Sequence, residues 1–265
     1  MGKASSILKE SRKIVLKIGS NVLTGSDGHL DGNVIANITD QVVALMREGK
    51  QIIIVSSGAE ISGVTALGLK SRHGDINFKQ ALCAIGQVEL MLAYKKYFTA
   101  AGYVIGQLLL TREDFEKHNS SIHIRNTLFT LLDEGVVPII NENDSVSVEE
   151  FGFGDNDALA AYTANLWNAD LLILMSNVDG VFDKDPGEDS SAKLIREVTD
   201  IDALVSKVDT SGKSSFGTGG MNSKIGAARK VAEYGTHMLL VNGKHDNVLQ
   251  TIEDGGDIGT IFIAR

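Results

Sequence analysis

The chain has 265 residues, 43% of them hydrophobic, and carries 25 Lys+Arg against 34 Asp+Glu for a net charge of −9. That length can bury a full core as one large domain or one and a half small ones, and so acidic a chain with no basic stripe argues against nucleic acid as a partner. It contains no run of 18 apolar residues to span a membrane, and no secretory h-region opens it.

Lys13 to Ile18 (KIVLKI) is an apolar run of strand length, followed by the small residues Gly19, Ser20 and Asn21. From Asp31 to Glu48 the residues Val34, Ile35, Ile38, Val42, Leu45 and Met46 recur near helical spacing, and Gly49 closes that helix. Gln51 to Val55 (QIIIV) predicts the next buried strand, which Ser56-Ser57-Gly58-Ala59 turns toward a helix. Helical patterning covers Asn77 to Phe98, strand patterning Tyr103 to Leu110, and helical patterning again Ser120 to Glu134. Val136 opens a fourth strand and Asp170 to Met175 (DLLILM) forms a fifth, with Ala158 to Trp167 helical between them. Asn222 to Tyr234 reads as a helix, Thr236 to Val241 as a strand, and Thr260 to Ile263 as a last short strand. Strands alternating with helices predict the α/β class, with a mostly parallel sheet covered on both faces. The lone Cys83 excludes an internal disulfide and points to a reducing cytoplasm. Met1 to Ser6 formally fits a myristoylation pattern, one short enough to arise by chance.

Three strand-to-helix junctions carry small residues: Gly19-Ser20, Ser56 to Ala59, and Ser176-Asn177. Free backbone N–H groups there can approach an anion, so one sheet edge is read as binding a phosphate or carboxylate. Asn141 to Asp157 (NENDSVSVEEFGFGDND) lies between a buried strand and a helix and reads as one long loop. Carboxamides and carboxylates alternate along it, offering donors and acceptors side by side as a small zwitterion requires. Open α/β sheets bind ligands at such strand ends, so this stretch is read as a substrate site.

Lys17, between Leu16 and Ile18, is costly to bury unpaired. It either reaches solvent at the strand end or is held at the sheet edge for a phosphate. Lys224 lies in Gly217 to Lys230 (GTGGMNSKIGAARK), as a helix-start lysine facing water or as a second cation for phosphate. Before it, Thr210 to Gly220 is rich in Gly, Ser and Thr and reads as a mobile segment, a cover for a nucleotide or a plain linker. Gly212-Lys213-Ser214 is not a P-loop, because Lys207 stands where the first glycine is required. The first strand lacks G-x-G-x-x-G, so a dinucleotide fold is not supported. His118 and His123 miss the spacing of two ligands on one helical face, and no residue is read as a metal ligand.

Together the motifs resemble those of the amino-acid kinase family, and within it the glutamate 5-kinase branch. The resemblance rests on Val15 to Ser20, Val55 to Ala59, Gln107 to Arg112 (QLLLTR), Asn141 to Asp144 (NEND), Gly154 to Asp157 (GDND) and Gly217 to Lys224. It implies a single domain over residues 1–265, a three-layer α/β/α sandwich around a mainly parallel sheet of about eight strands. The first part, about 1–165, would bind glutamate, and the second, about 166–265, ATP. The implied reaction moves the γ-phosphoryl group of ATP to the side-chain carboxylate of L-glutamate, the first step of proline biosynthesis. Many members carry a further C-terminal PUA domain; the chain stops at Arg265, so a form without it is expected. The nucleotide loop departs from some members in reading Ser176-Asn177-Val178-Asp179-Gly180.

The resemblance implies that Lys17 and Lys224 flank the transferring phosphoryl group while Asp157 holds both ammonium groups. It places ATP against Lys17, Gly19, Ser20, Ser176, Asn177, Thr218, Gly219, Gly220, Met221, Asn222, Ser223 and Lys224, with Mg²⁺ arriving on the phosphates. Asp144 can accept from the substrate's α-amino group, and Asn156 with the backbone at Ser57 and Gly58 can donate to its α-carboxylate. A glutamate side chain is already ionised at neutral pH and needs no general base, so the lack of a convincing histidine fits. Proline as feedback inhibitor, a homo-oligomer and coupling to glutamyl phosphate reductase are further implied. A uridylate kinase is disfavoured, because the acidic 141–157 stretch repels a phosphate-bearing acceptor. Aspartate and acetylglutamate kinases are chemically closer, and a non-catalytic sensor of the same fold is the alternative from another class.

Overall fold

The computed structural model describes residues 2–69, 75–147, 156–207 and 220–264. In chain order the elements are α1 (Lys3–Glu10), β1 (Lys13–Ile18), α2 (Ser20–Leu23), α3 (Gly32–Arg47), β2 (Gln51–Ser56), α4 (Ala59–Ala66) and α5 (Ile76–Ala100). There follow β3 (Ile105–Leu110), α6 (Arg112–Glu116), α7 (His118–Asp133), β4 (Val137–Glu142), α8 (Asn156–Trp167) and β5 (Leu171–Ser176). The last part holds β6 (Val181–Phe182), β7 (Leu194–Ile195), β8 (Glu197–Val198), α9 (Ile201–Lys207), α10 (Met221–Ala232), β9 (His237–Asn242), α11 (Val248–Glu253) and β10 (Thr260–Phe262).

Eight strands form one sheet in the order β3-β4-β2-β1-β5-β9-β10-β8, while β6 and β7 make a separate small ribbon. Every pairing in the large sheet is parallel except β9 with β10. A parallel sheet needs helices on both faces, and the alternation along the strands assigns them. Ile14, Leu16 and Ile18 of β1 join Ile52, Ile54, Ile139 and Ile173 in a core with Leu8 of α1, Ile35 and Ile38 of α3, Leu90 of α5 and Leu249 of α11. Val15 joins Ile53, Val55, Ile140 and Leu174 in a second core with Leu128 of α7, Leu159 and Trp167 of α8, and Ala228 of α10. The result is a three-layer α/β/α sandwich, as expected from the sequence.

β1 lies between β2 on one side and β5 on the other, in register Lys17↔Val55 and Lys17↔Leu174. The chain winds outward from β1 in opposite directions, so the crevice beyond the carboxyl ends of β1, β2 and β5 is a topological switch point.

Several elements differ from the sequence expectation. Asn141 and Glu142 belong to β4 and are buried, and α8 begins at Asn156, so the stretch read as one loop is shorter than seventeen residues. An apolar run is easily seen, whereas a polar strand end is held by tertiary hydrogen bonds that leave no local pattern. α1 was not anticipated. It is anchored by Lys50, whose Nζ donates to the carbonyls of Leu8, Lys9 and Ser11 and so caps the C-terminus of α1.

Candidate active site

Lys17 shares the strand face of Val15 and points toward the α8/α10 layer, where it is 5% exposed. Its ammonium pairs with Asp157 Oδ1. Lys224 Nζ donates to Asp157 Oδ2 at 3.1 Å, with the carboxylate fully buried and Lys224 6% exposed. Of the two readings left open for each lysine, neither is the solvated one. Asp157 sits in the first turn of α8, where a negative charge suits the helix dipole. Lys224 sits in the first turn of α10, where the dipole opposes a cation, so its place depends on a counter-charge. A buried carboxylate holding two ammonium groups at a sheet-edge crevice marks a candidate functional site.

Gly19 follows β1 and extends its ladder, donating from N to Met175 O at 3.0 Å. A Cβ there would lie 3.3 Å from that carbonyl oxygen and 3.7 Å from Lys17 Nζ, so the glycine keeps the approach to the ammonium clear. Ser20 begins α2. Ser176 ends β5, largely buried, with Asn177 beside it and Asp179 just beyond. Asp179 accepts from Asn242 at 2.8 Å and meets His245 at 2.9 Å, and these bonds hold its carboxyl below the usual range. Gly220 caps α10, whose first turn carries Met221, Asn222, Ser223 and Lys224. Thr218 and Gly219, like Gly154, Asp155 and most of the Thr210–Gly220 segment, lie outside the described residues.

On the other side of Asp157 a second group gathers. Gly58 caps α4 with φ +106°, a left-handed backbone that favours glycine, and Ser57 N donates to Ile18 O at 2.9 Å. Asn156 Nδ2 donates to Ser57 Oγ and to Asn141 Oδ1, each at 2.9 Å, and to Ser56 O at 3.3 Å. Its donors are therefore committed, which differs from the donor role toward a carboxylate expected from the sequence. Asn141 is in turn tied to Gln87 of α5, a residue that sequence reading missed. The available signal was spacing: Cys83, Gly86, Gln87, Leu90, Tyr94 and Phe98 form the buried face of α5, and a carboxamide on such a face needs partners.

Asp144 lies beyond the end of β4. Burial, and then Glu142 close by, push its carboxyl up to about 6, partly offset by Lys79. Cys83 is hydrogen-bonded to it, and burial with the Asp144 charge pushes that thiol well above its ordinary value. A cavity of about 520 Å³ opens here, lined by Gln87, Glu142, Asn143 and Asp144 against apolar residues such as Val88 and Leu92. No helix of the described residues is long and apolar enough to cross a membrane.

Three clusters thus meet along one edge of the sheet: the Lys17–Asp157–Lys224 triad, the Ser57–Asn156–Asn141–Gln87 amides, and the Asp144 pocket. The Amino acid kinase family model matches residues 12–242. The chain is 52% identical over 258 residues to a glutamate 5-kinase of Alkaliphilus metalliredigens, covering 97% of this chain and 98% of that one. It is 53% identical over 256 residues to the glutamate 5-kinase of Alkaliphilus oremlandii, covering 97% of each. Among solved structures, UMP kinase from Ureaplasma parvum superposes with a TM-score of 0.67 at 19% identity over 96% of this chain and 99% of that one, a likeness of fold. The chain belongs to the amino acid kinase family, on its glutamate 5-kinase branch.

Proposed function

We propose that the protein transfers the γ-phosphoryl group of ATP to the side-chain carboxylate of L-glutamate, giving L-glutamyl 5-phosphate for proline biosynthesis. The observation that carries this reading is the buried Lys17–Asp157–Lys224 triad beside a pocket whose described lining holds Glu142 and Asp144 with one lysine, Lys95. Phosphoryl transfer to a carboxylate brings an anion to a polyanion, so the need is for cations and N–H donors, and no base has to take a proton. Lys17 and Lys224 approach the phosphoryl group from the first strand and from α10, and Asp157 keeps the two ammonium groups from repelling each other. Gly19, having no side chain, lets the phosphates approach Lys17, and α10 turns the positive end of its dipole toward them. Asp144 takes the substrate's ammonium, and the backbone at Ser57 and Gly58 faces its carboxylates. Mg²⁺ would arrive on the triphosphate and neutralise part of its charge, the two lysines of the triad being no ligands for it. The residues up to about 165 then hold the amino acid and those from about 166 the nucleotide.

The product is a reactive mixed anhydride, which favours rapid consumption by a reductase such as glutamyl phosphate reductase. Proline as a feedback inhibitor, a homo-oligomeric state and a cytoplasmic location belong to the same reading; the lone thiol of Cys83 suits a reducing compartment. The test is ADP release together with hydroxylamine trapping, using glutamate, aspartate, N-acetylglutamate and UMP as acceptors. γ-Glutamyl hydroxamate is the expected product, and a higher kcat/KM with any other acceptor overturns the assignment.

A further inference from the structure

Behind the triad runs a chain of side-chain amides whose direction is fixed. Asn141 Nδ2 donates to Gln87 Oε1 at 2.9 Å, deep in the interior. Asn141 Oδ1 therefore faces the other way, accepting from Glu142 N and from Asn156 Nδ2, each at 2.9 Å. Exchanging nitrogen and oxygen on Asn156 would set its oxygen against both Asn141 Oδ1 and the Ser56 carbonyl, so the network permits one sense. The chain ends in two buried atoms without a partner among the described residues, Gln87 Nε2 and Asn156 Oδ1. One is a donor and the other an acceptor. Gln87 is 8% exposed and lines the same cavity as Asp144.

A buried amide NH₂ with nothing to donate to is unfavourable, and a ligand that brings an acceptor relieves it. Glu60, Glu142 and Asp144 neighbour the site, with Lys79 and the cavity-lining Lys95 offsetting part of their charge, so a carboxylate entering here still gains from a hydrogen-bond donor. We propose that Gln87 is a specificity-determining residue that donates from Nε2 to the α-carboxylate of the bound amino acid, while Asn156 Oδ1 accepts from its α-ammonium alongside Asp144. This rests on the reading of the site as a glutamate kinase and adds to it the contact that recognises the α-carboxylate. Sites that hydrogen-bond a substrate group discriminate strongly against analogues that cannot match it.

The test compares wild type with Gln87→Glu and Gln87→Met, using L-glutamate and its α-amide, L-isoglutamine, as acceptors in the ADP-release assay. Gln87→Glu keeps the oxygen that Asn141 donates to but replaces the free donor by an acceptor. Its KM for glutamate should rise tenfold or more at unchanged KM for ATP. Its preference for glutamate over isoglutamine in kcat/KM should fall tenfold or more, since the α-amide can donate to the new carboxylate. Gln87→Met, near in size and uncharged, should raise the glutamate KM likewise with the ATP KM unchanged. An unchanged acceptor preference in Gln87→Glu, or a glutamate KM within about threefold of wild type in both variants, overturns the proposal. Wild type that forms no hydroxamate from glutamate overturns the underlying functional reading instead.

Discussion

Gly63 of α4 and Gly86 of α5 meet backbone to backbone: a Cβ on Gly86 would stand 1.8 Å from Ala59 O and 2.2 Å from Gly63 N, and one on Gly63 would stand 2.1 Å from Leu82 O. No side chain fits between the two helices at this crossing. The contact fixes α5 against the helix that Gly58 caps, and so sets where Gln87 and Cys83 stand relative to Ser57.

Gly86→Ala should therefore be among the most damaging small substitutions in the chain, since backbone must move to admit the methyl group. Overpacking of this kind costs typically about 1–3 kcal/mol and more where backbone is struck. Gly226→Ala in α10, where a Cβ meets nothing within 4 Å, should instead stabilise by up to about 1 kcal/mol. Chemical denaturation of both variants checks the pair. A Gly86→Ala protein as stable as wild type would refute the close crossing.

The triad gives the sharpest test of catalysis. Lys224→Ala should lower kcat by roughly 10²–10³, the scale of losing one electrostatic stabiliser of a transition state, with KM values moving much less. Lys224→Arg should rescue poorly, because a planar fork does not replace a compact ammonium bonded to Asp157. Steady-state kinetics on the folded variants decide, and a kcat within about threefold of wild type removes Lys224 from the chemistry.

Asp157→Asn keeps the shape and removes the charge, so the buried ammonium groups of Lys17 and Lys224 then face a neutral amide. Breaking a buried ion pair from one side costs roughly 3–5 kcal/mol. A triphosphate supplies negative charge at the same place, so ATP should raise the Tm of the variant by more than it raises that of wild type. Thermal melts with and without nucleotide measure this. An ATP shift no larger than in wild type counts against the two lysines meeting the phosphates.

Asp144 predicts a pH limb. Its carboxyl is raised by burial and by Glu142, with Glu60 adding to the rise and Lys79 and the Cys83 hydrogen bond opposing it. A raised carboxyl is neutral below its pKa, so in the proposed role the charge that Asp144 offers a substrate ammonium is present above about 6 and lost below. kcat/KM for glutamate should rise with pH through that value and level off above it, and Asp144→Asn should abolish the limb. Asp144→Ala should weaken glutamate by roughly 1.5–3 kcal/mol while leaving ATP nearly unaffected. A profile that stays flat down to about pH 5, where glutamate's own side chain remains mostly ionised, would contradict this.

Much of the sandwich is visible in the sequence because buried parallel strands are short apolar runs. KIVLKI, QIIIV and DLLILM each became a strand within one residue of the expected bounds. The last strand, β10, was expected at Thr260 to Ile263, but its antiparallel direction and the two-residue strands β6, β7 and β8 were not, because such pairing is decided by distant partners and not by local pattern. Lys17 stood out as a charge inside an apolar run, yet nothing local names Asp157 as its partner, since the two meet only when α8 packs on β1. Asn156 was visible as a polar residue near a strand end. Whether it offers a donor or an acceptor is set by Asn141 and Gln87, far away in the chain, and emerges only when the hydrogen bonds are traced.

The triad draws one residue from the first strand, one from the middle of the chain and one from its last quarter. During translation the N-terminal part emerges first and can begin to fold before the rest is made. A nascent or C-terminally clipped chain ending before Lys224 lacks the second ammonium, and it also lacks Leu239, Leu249 and Ile261 of one core and Met238, Leu240 and Phe262 of the other. The ability to make a labile acyl phosphate thus arrives only with a nearly finished polypeptide, and quality control by proteolysis would silence catalysis with a single cut upstream of α10.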